Sequence, residues 1–429
     1  LYRVSFIVIL VVMTGAEVHI APIKPLSYTF SRKRPSSRPN FQRTPPFAEA
    51  LFVMRKSFFR LTYGLFLLLL STKSSINMNK QTNDIFPRRL RQARLMKGFS
   101  LERLARSVAP SVTRQAVSKY ENGLMMPDSR VLIAFAAALG VKVDYFFRPF
   151  TVEVDRVEFR KKSKFPEWMA NAVKEKVRAE LERYLEVEQL CGCATSFSLP
   201  RKRVATTGEA VAHAGEVRRC LGLGCDGISN VIEVLEDNGV KVIEIAEDDD
   251  FDGLSGYANG SIPLIVVNGN FTAERKRFTA LHELGHLLLD IPEDVSSKDI
   301  ERICNDFASE LMLPVSVLKS KVGDSRHDIS LSELTDIQRQ FGISVDDIMM
   351  ALRSGNVISD KRYSGYLVKK NRLPDFRRLV ETSRVGDEHS GRFERMVYRA
   401  LADEAISFSK AAVLLNTSVG RVKSQLQLV

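Results

Sequence analysis

Cysteine and histidine are scarce, five of one and six of the other in 429 residues, beside a single tryptophan. Cys191, Cys193, Cys220, Cys225 and Cys304 are an odd set and too few to staple a chain of this length, which excludes a disulfide-built secreted module and fits a reducing cytoplasm. The spacings Cys191-Gly192-Cys193 and Cys220-x4-Cys225 match no common zinc pattern, so free thiols are expected rather than a metal knuckle. Long apolar runs are missing too. FIVILVVM (6–13) and GLFLLLL (64–70) fall short of the ~18 residues that a membrane helix needs, so no membrane partner is expected. The acidic run EDDDFD (247–252) lacks the alternation and closing glutamate of an EF-hand loop and reads as a solvated turn.

What is present is an apolar content of 45% in a chain longer than one ordinary domain, so two or three domains are expected. The net charge of +12 is unevenly spread. Residues 1–77 hold 11 Lys/Arg against 2 Asp/Glu, residues 78–150 hold 13 against 5, and the remainder nets −5. A basic module on a mildly acidic body points to nucleic-acid contact confined to that module. The first 77 residues begin with Leu and place a Pro/Arg/Ser-rich stretch, SRKRPSSRPN, between the two apolar runs. MRKSFFRLTYGLFLLLLS has the basic and apolar regions of a signal peptide, but no clean small-residue cleavage site follows. A wrongly extended start or a disordered extension is therefore expected over 1–77, not an anchor.

Over 84–147 apolar residues recur at helical spacing in five short segments, as in Leu101, Leu104, Ala105 and Val108, or Ala116, Val117 and Tyr120. Gly98 precedes the Ser100 cap, Pro110 ends the second helix, Thr113 caps the third and Asn122-Gly123 closes it; Pro127, Asp128 and Ser129 open the fourth, which Gly140 stops. SLERLARSV and TRQAVSKYENG thus become consecutive helices joined by a turn, which is helix-turn-helix anatomy. SLERLA, RQAVSKYENG and MPDSRVLIAFAAALGV together resemble the phage-repressor-like (XRE) family. The turn SVAPSV is about two residues longer than usual, a change that would tilt the third helix. Arg114, Gln115, Ser118 and Lys119 fall on one exposed side of that helix; Arg and Gln suit base edges, Ser and Lys suit phosphates. The competing reading is a solvated face on a protein-interaction module. Double-stranded DNA is the expected partner, and such domains usually bind as dimers on paired half-sites, so a homodimer is expected.

Residues 151–200 read as a mainly helical connector spacing two functional ends. Helices follow over 208–221 and in ISNVIEVLEDNG, then a strand in KVIEIAE and a hairpin of GLSGYA and SIPLIVVN about Asn259-Gly260. Thr272 caps the next helix, which holds RFTALHELGHLLLD (277–290). There His282 and His286 are four residues apart, on one face, where both imidazoles can reach a single ion. Glu283 is displaced around the helix, placing its carboxylate to take a proton from water rather than to bind the ion. Two unrelated core or surface histidines are the competing reading. Three protein ligands and one open position make a catalytic zinc site. SSKDIERICNDFASELMLP supplies a second helix, opened by a Ser296-x-x-Asp299 capping box, whose carboxylates include Glu301, Asp306 and Glu310, with Glu293 and Asp294 just before it. Spacing alone does not choose among these. SIPLIVVN offers a sheet edge for pairing with an extended substrate, and Tyr257 a donor to a developing oxyanion; a core strand and a packed aromatic are the competing readings. His213 and His327 are expected at the surface, not as ligands.

FRKK (159–162), RYLEVEQL, FDGLSG, PLIVVN, RKRFTALHELGHLLLD and ERICNDFASELMLP resemble the ImmA/IrrE family of metallo-endopeptidases, over about 78–355 when the DNA-binding part is included. The resemblance implies a gluzincin-like fold, zinc as the cofactor, Glu301 as the third ligand from an E-x-x-[AC]-N-x-x-A pattern, and a repressor-like protein as substrate. Asn305 and Asp290 are then partners for a ligand, with surface or capping roles as the alternative. LSELTDIQRQFGISVDDIMMALR (331–353) and SKAAVLLNTSVGRVKSQL (409–426) each read helix, turn, helix; either suits a second helix-turn-helix, but the body's negative charge favours scaffold or dimerisation roles over DNA contact for both.

The sequence is thus read as multidomain and mainly α. A doubtful extension (1–77) precedes an all-α helix-turn-helix domain (78–150), the connector (151–200), an α+β gluzincin-like metalloprotease domain (201–325) and a C-terminal helical region (326–429). The expected function is that of a cytoplasmic, DNA-binding zinc metallo-endopeptidase with ligands His282, His286 and Glu301 and base Glu283, cutting a repressor-like regulator and regulating transcription. The alternative is an XRE-type regulator that uses the metal domain as a sensor without proteolysis.

Overall fold

A computed structural model of the chain describes residues 85–109, 112–152, 166–247 and 251–426, together with the backbone of four short strands between residues 5 and 27. The chain divides at Asn77 into two units. In the first, β1 (Ser5–Phe6) pairs antiparallel with β4 (Leu26–Ser27), and β2 (Ile9–Thr14) with β3 (Glu17–Pro22). Of the two apolar runs, the first gives Phe6 to β1 and residues 9–13 to β2, and GLFLLLL lies outside the described residues.

The second unit begins with the basic module. Helix α1 runs over 85–96, followed by α2 (Leu101–Ser107), α3 (Arg114–Glu121) and α4 (Ser129–Leu139). Their starts are set by side-chain caps: Ser100, Thr113 and Asp128 accept from the backbone N–H of Arg103, Ala116 and Val131. Gly140 ends α4 in the left-handed region at φ 70°. The fifth expected helix is a 3-10 turn, Val143–Phe147. Phe86, Leu90, Leu104, Val117, Phe135 and Phe146 are fully buried and form the module's own core. Pro110 and Ser111, in the long turn, lie outside the described residues.

The body opens with α5 (Glu167–Cys191), then β5 (Lys202–Arg203), α6 (Thr207–Cys220), α7 (Val231–Asp237), β6 (Lys241–Ile245), β7 (Gly253–Ala258) and β8 (Ile262–Asn268). Asn259 and Gly260 both take positive φ, 48° and 72°, and turn β7 back onto β8. The strand order is β6-β8-β7, parallel between β6 and β8 and antiparallel between β8 and β7. SIPLIVVN is therefore the centre of the sheet and not the substrate-pairing edge that its position suggested. Its run of apolar residues without alternation is buried on both faces. Helix α8 (Ala273–Leu288) crosses the sheet, runs into β9 (Leu289–Asp290), and is followed by α9 (Ser297–Met312). Thr272 stands at the α8 N-cap without a side-chain cap bond, whereas Ser296 caps α9 by accepting from Asp299 N.

Helices α10 (Val315–Val322), α11 (Leu331–Phe341), α12 (Val345–Ser354), α13 (Asp360–Arg372) and α14 (Pro374–Glu381) continue the same core, which runs from Leu199 to Val380 and so passes residue 325, the expected end of the protease-like part. Only α15 (Arg392–Ala402), α16 (Phe408–Leu414) and α17 (Val419–Gln425) gather around a separate cluster with α5.

Helix α5 is not a bare spacer. Val173, Val177 and Leu181 pack on the sheet, while Tyr184 and Val187 join the last three helices. It also holds the basic module through Arg89, which is 1% exposed. That guanidinium donates to Glu182 Oε2 at 2.7 Å, Gln92 Oε1 at 2.7 Å, Arg148 O at 2.9 Å and Pro149 O at 2.6 Å, and lies 3.8 Å from the Phe150 ring centre. Removing one member of a buried pair strands the other charge, at about 3–5 kcal/mol. Arg89→Met is expected to split calorimetric unfolding into two transitions, the basic module melting first; one transition at the wild-type midpoint would show that the module is held by other contacts.

Candidate functional site

Helix α8 lies against the sheet through Ala280, Leu281, Leu284 and Leu288, which leaves His282 and His286 on its opposite side, facing α9. Their Nε2 atoms are 3.1 Å apart. Two ring nitrogens at that distance repel unless a proton or a cation lies between them. Asn305 Oδ1 sits 2.9 Å from His282 Nδ1, which orients that ring with Nε2 directed into the cluster. His286 Nδ1 lies 3.3 Å from Cys304 Sγ.

The third member comes from α9. Glu301 approaches His282 Nε2 at 3.3 Å and His286 Nε2 at 3.6 Å. The hydrogen bonds to His282 and then His286 hold its carboxyl well below the usual carboxylate range. His282, His286 and Glu301 each offer one ligand atom, all within 4.8 Å of one another. Two imidazole nitrogens and one carboxylate oxygen are a donor set that suits zinc, so the residues present fit such an ion. The rival carboxylates lie elsewhere. Glu293 and Asp294 are exposed in the loop before α9, and Asp306 and Glu310 line a small cavity with Asp347. Asp290 is exposed on β9.

Close approach of α8 and α9 depends on Gly285. A Cβ there would lie 3.2 Å from Phe307 Cδ1 and 3.5 Å from Cys304 Cα. Glycine inside a helix costs ~1 kcal/mol relative to alanine, and the contact between the helices is what that cost permits.

Glu283 is buried between α8 and β7. Ser255 Oγ donates to its Oε2 at 2.7 Å. Gly253 faces the same place, where a Cβ would meet Thr279 Cγ2 at 2.6 Å and Glu283 Cγ at 3.4 Å. Gly253, Ser255 and Tyr257 alternate along β7, so all three face α8. The Tyr257 hydroxyl is buried and has no hydrogen-bond partner among the described residues. Ser255 and Cys304 were missed in the sequence. The small residues alternating in GLSGYA are the signal that could have found Ser255.

His213 corrects a surface expectation. It is fully buried, with Nδ1 2.9 Å from Glu216 Oε2 and Nε2 3.0 Å from Pro200 O, and its ring lies against Phe307. It belongs to the α6–α9 packing and is no part of the cluster. His327 is exposed. On α3, Arg114, Gln115 and Lys119 are exposed and Ser118 half-buried, while Val117 and Tyr120 point into the core.

Residues 90–146 match the family model described as helix-turn-helix, and residues 235–352 match the one described as the IrrE N-terminal-like domain. The chain carries a helix-turn-helix DNA-binding domain and an IrrE-like peptidase domain. A stretch of 71 residues is 34% identical to the SPbeta prophage-derived uncharacterized HTH-type transcriptional regulator YonR of Bacillus subtilis (strain 168), covering 17% of this chain and 64% of that protein. The chain thus spans under two thirds of that relative's length. Helices α2 and α3 fall inside the helix-turn-helix match; α8, α9 and the three clustered side chains fall inside the IrrE-like match. Among the described residues, no helix is long and apolar enough to cross a membrane.

Because Asn305 fixes the His282 ring, Asn305→Ala is expected to lower zinc affinity about ten- to a hundredfold, measured by competition with a fluorescent chelator. Equal affinity in the two proteins would show that packing along α8 alone orients the ring.

Proposed function

We propose that this protein is a DNA-binding zinc metallo-endopeptidase that cleaves a repressor-like transcriptional regulator and regulates transcription through its own helix-turn-helix domain. One observation carries the reading: two imidazoles and a carboxylate converge on one point, with a second, buried carboxylate on the same helix as the imidazoles. His282, His286 and Glu301 would hold the ion. Zinc in such a setting supplies Lewis acidity, which acidifies water and polarises a peptide carbonyl.

The chain's own residues account for the rest. Ser255 donates to Glu283 Oε2 and so fixes the carboxylate, leaving Oε1 to take the proton of the attacking water and pass it to the leaving amine. Burial of Glu283 keeps that transfer away from bulk solvent. Among the described residues strand β7 borders only β8 in its sheet, so its other edge can pair with an extended peptide laid beside Glu283. The buried, unpartnered Tyr257 hydroxyl on the same face is a donor suited to the developing oxyanion. At the DNA end, Arg114 and Gln115 read base edges while Ser118 and Lys119 hold phosphates, in a homodimer on paired half-sites.

The competing reading is a regulator whose metal domain senses without cutting. A sensor has no use for a proton acceptor held at Glu283, which supports the peptidase. The test compares wild type with Glu283→Gln. Elemental analysis is expected to find one zinc per chain in both, and cleavage is expected to fall at least ~100-fold in the variant. In cells, new N-termini within a helix-turn-helix regulator should appear with wild type alone, as read by N-terminal peptide profiling. If those N-termini are absent from both, and regulation survives Glu283→Gln, the sensor reading replaces this one.

A further inference from the structure

The last three helices repeat the design of the first DNA-binding pair. SFSKAAVLL (407–415) lies over SLERLARSV (100–108), and SVGRVKSQ (418–425) over TRQAVSKY (113–120). The correspondence is physical as well as written. Ser407 caps α16 by accepting from Lys410 N, as Ser100 caps α2 by accepting from Arg103 N. Ser418 caps α17 through Arg421 N, as Thr113 caps α3 through Ala116 N. Ala412 and Ala105 occupy the same buried position, and Val422 and Val117, four residues after their caps, are both 0% exposed.

The connection is closer to the usual motif in the second pair than in the first. Four residues, Leu415–Ser418, join α16 to α17, against six between α2 and α3. Asn416 makes the bend with φ 48°, and Thr417 N donates back to Ala412 O at 2.9 Å. Helix α15 completes the bundle, with Val397, Ala400 and Leu401 packed on the pair.

The outward face of α17 carries Arg421, Lys423, Ser424 and Gln425, all exposed. In the overlay Lys423 and Ser424 stand at the positions of Ser118 and Lys119, the pair suited to phosphates; Val419 and Gly420 stand where α3 has Arg114 and Gln115, and Arg421 adds a second exposed cation. Gln425 accepts from Tyr398 at 2.7 Å and Lys423 lies 5.6 Å from the Phe408 ring centre, so both lean on their own module while staying open to solvent. The acidic balance of the body does not reach this segment: residues 391–429 hold six Lys/Arg against three Asp/Glu. Consecutive residues of α5 fasten both modules, since Glu182 receives Arg89 and Arg183 donates to Leu414 O at 2.7 Å.

We propose that α15–α17 is a second helix-turn-helix that contacts double-stranded DNA, with Arg421 and Lys423 on the backbone phosphates. One chain then engages a duplex at two places, and its footprint has two parts.

The test uses the full chain and a duplex of about 40 base pairs, selected from a random pool by the wild-type protein, a length that spans several helical turns. Binding is followed by fluorescence anisotropy across a potassium chloride series, and contacts by hydroxyl-radical footprinting. Arg421→Glu/Lys423→Glu is expected to weaken binding at least about tenfold, to lower the slope of log affinity against log salt by about 2, and to erase one part of the footprint. Arg114→Glu/Lys119→Glu is expected to erase the other part. Arg421→Gln/Lys423→Gln, with an unchanged melting midpoint, should reproduce the first result more weakly and guards against misfolding. Wild-type affinity, slope and footprint in both α17 variants would overturn the proposal. So would loss of self-association in sedimentation without any change at the DNA, which would make α17 a contact between copies of the chain.

Discussion

The structure turns on the contact between α8 and α9. Each helix presents a pair of residues four apart, His282 with His286 and Glu301 with Asn305, and the two pairs meet face to face. Glu301 touches both Nε2 atoms, Asn305 holds the far nitrogen of one ring, and Cys304 lies beside the far nitrogen of the other. That mutual fit needs the helices to be close, which is why Gly285 stands between the histidines on the side facing Phe307. From the other flank α6 presses α9 into place. Buried Arg218 donates to Leu311 O at 2.6 Å and to Gly224 O at 2.9 Å, tying the end of α9 to the loop after α6.

The sheet contributes something different. Its central strand is an apolar wedge that fixes the depth of α8, and its edge strand β7 trades bulk for polar reach. Gly253 lets the strand approach Thr279 and Glu283, and Ser255 uses the space for a hydrogen bond. The carboxylate on α8 is thus oriented by a strand that precedes it, while the His282 ring is oriented by the helix that follows.

The division between what the sequence disclosed and what it withheld follows the range of the interactions. Caps, turns and the histidine pair are local, so Ser100, Thr113, Asn259-Gly260 and the four-residue spacing on α8 could be read directly. The choice of Glu301 over Asp306 or Glu310 is a matter of helix-to-helix distance, which no spacing encodes; a resemblance named it, and the geometry sets it beside the two rings. His213 was misplaced at the surface because a polar residue among alanines was read by its type. Its position, in register with Ala210, Ala214 and Val217 and three residues before Glu216, already marked the buried face with a partner at hand. SIPLIVVN was given an edge because it precedes the metal helix, although a strand apolar on both faces belongs between two others.

Helix α5 shows the same limit most fully. As sequence it is a charged amphipathic stretch, and nothing in it announces that three parts of the protein meet there. In the fold, Glu182 takes Arg89 of the helix-turn-helix domain, while Glu188, 3% exposed, takes Lys241 of the sheet at 2.6 Å and Arg392 of α15 at 3.1 Å. Charges buried this deeply persist only while their partners stay in place. Moving the DNA-binding domain or the last three helices away from α5 would strand a carboxylate or a cation in an apolar surround, so each module's position is set by the same rigid element that the metal-bearing sheet rests on. Helix α5 thus holds, within seven residues, buried carboxylates that answer the DNA-binding domain at one end and the sheet and the last three helices at the other.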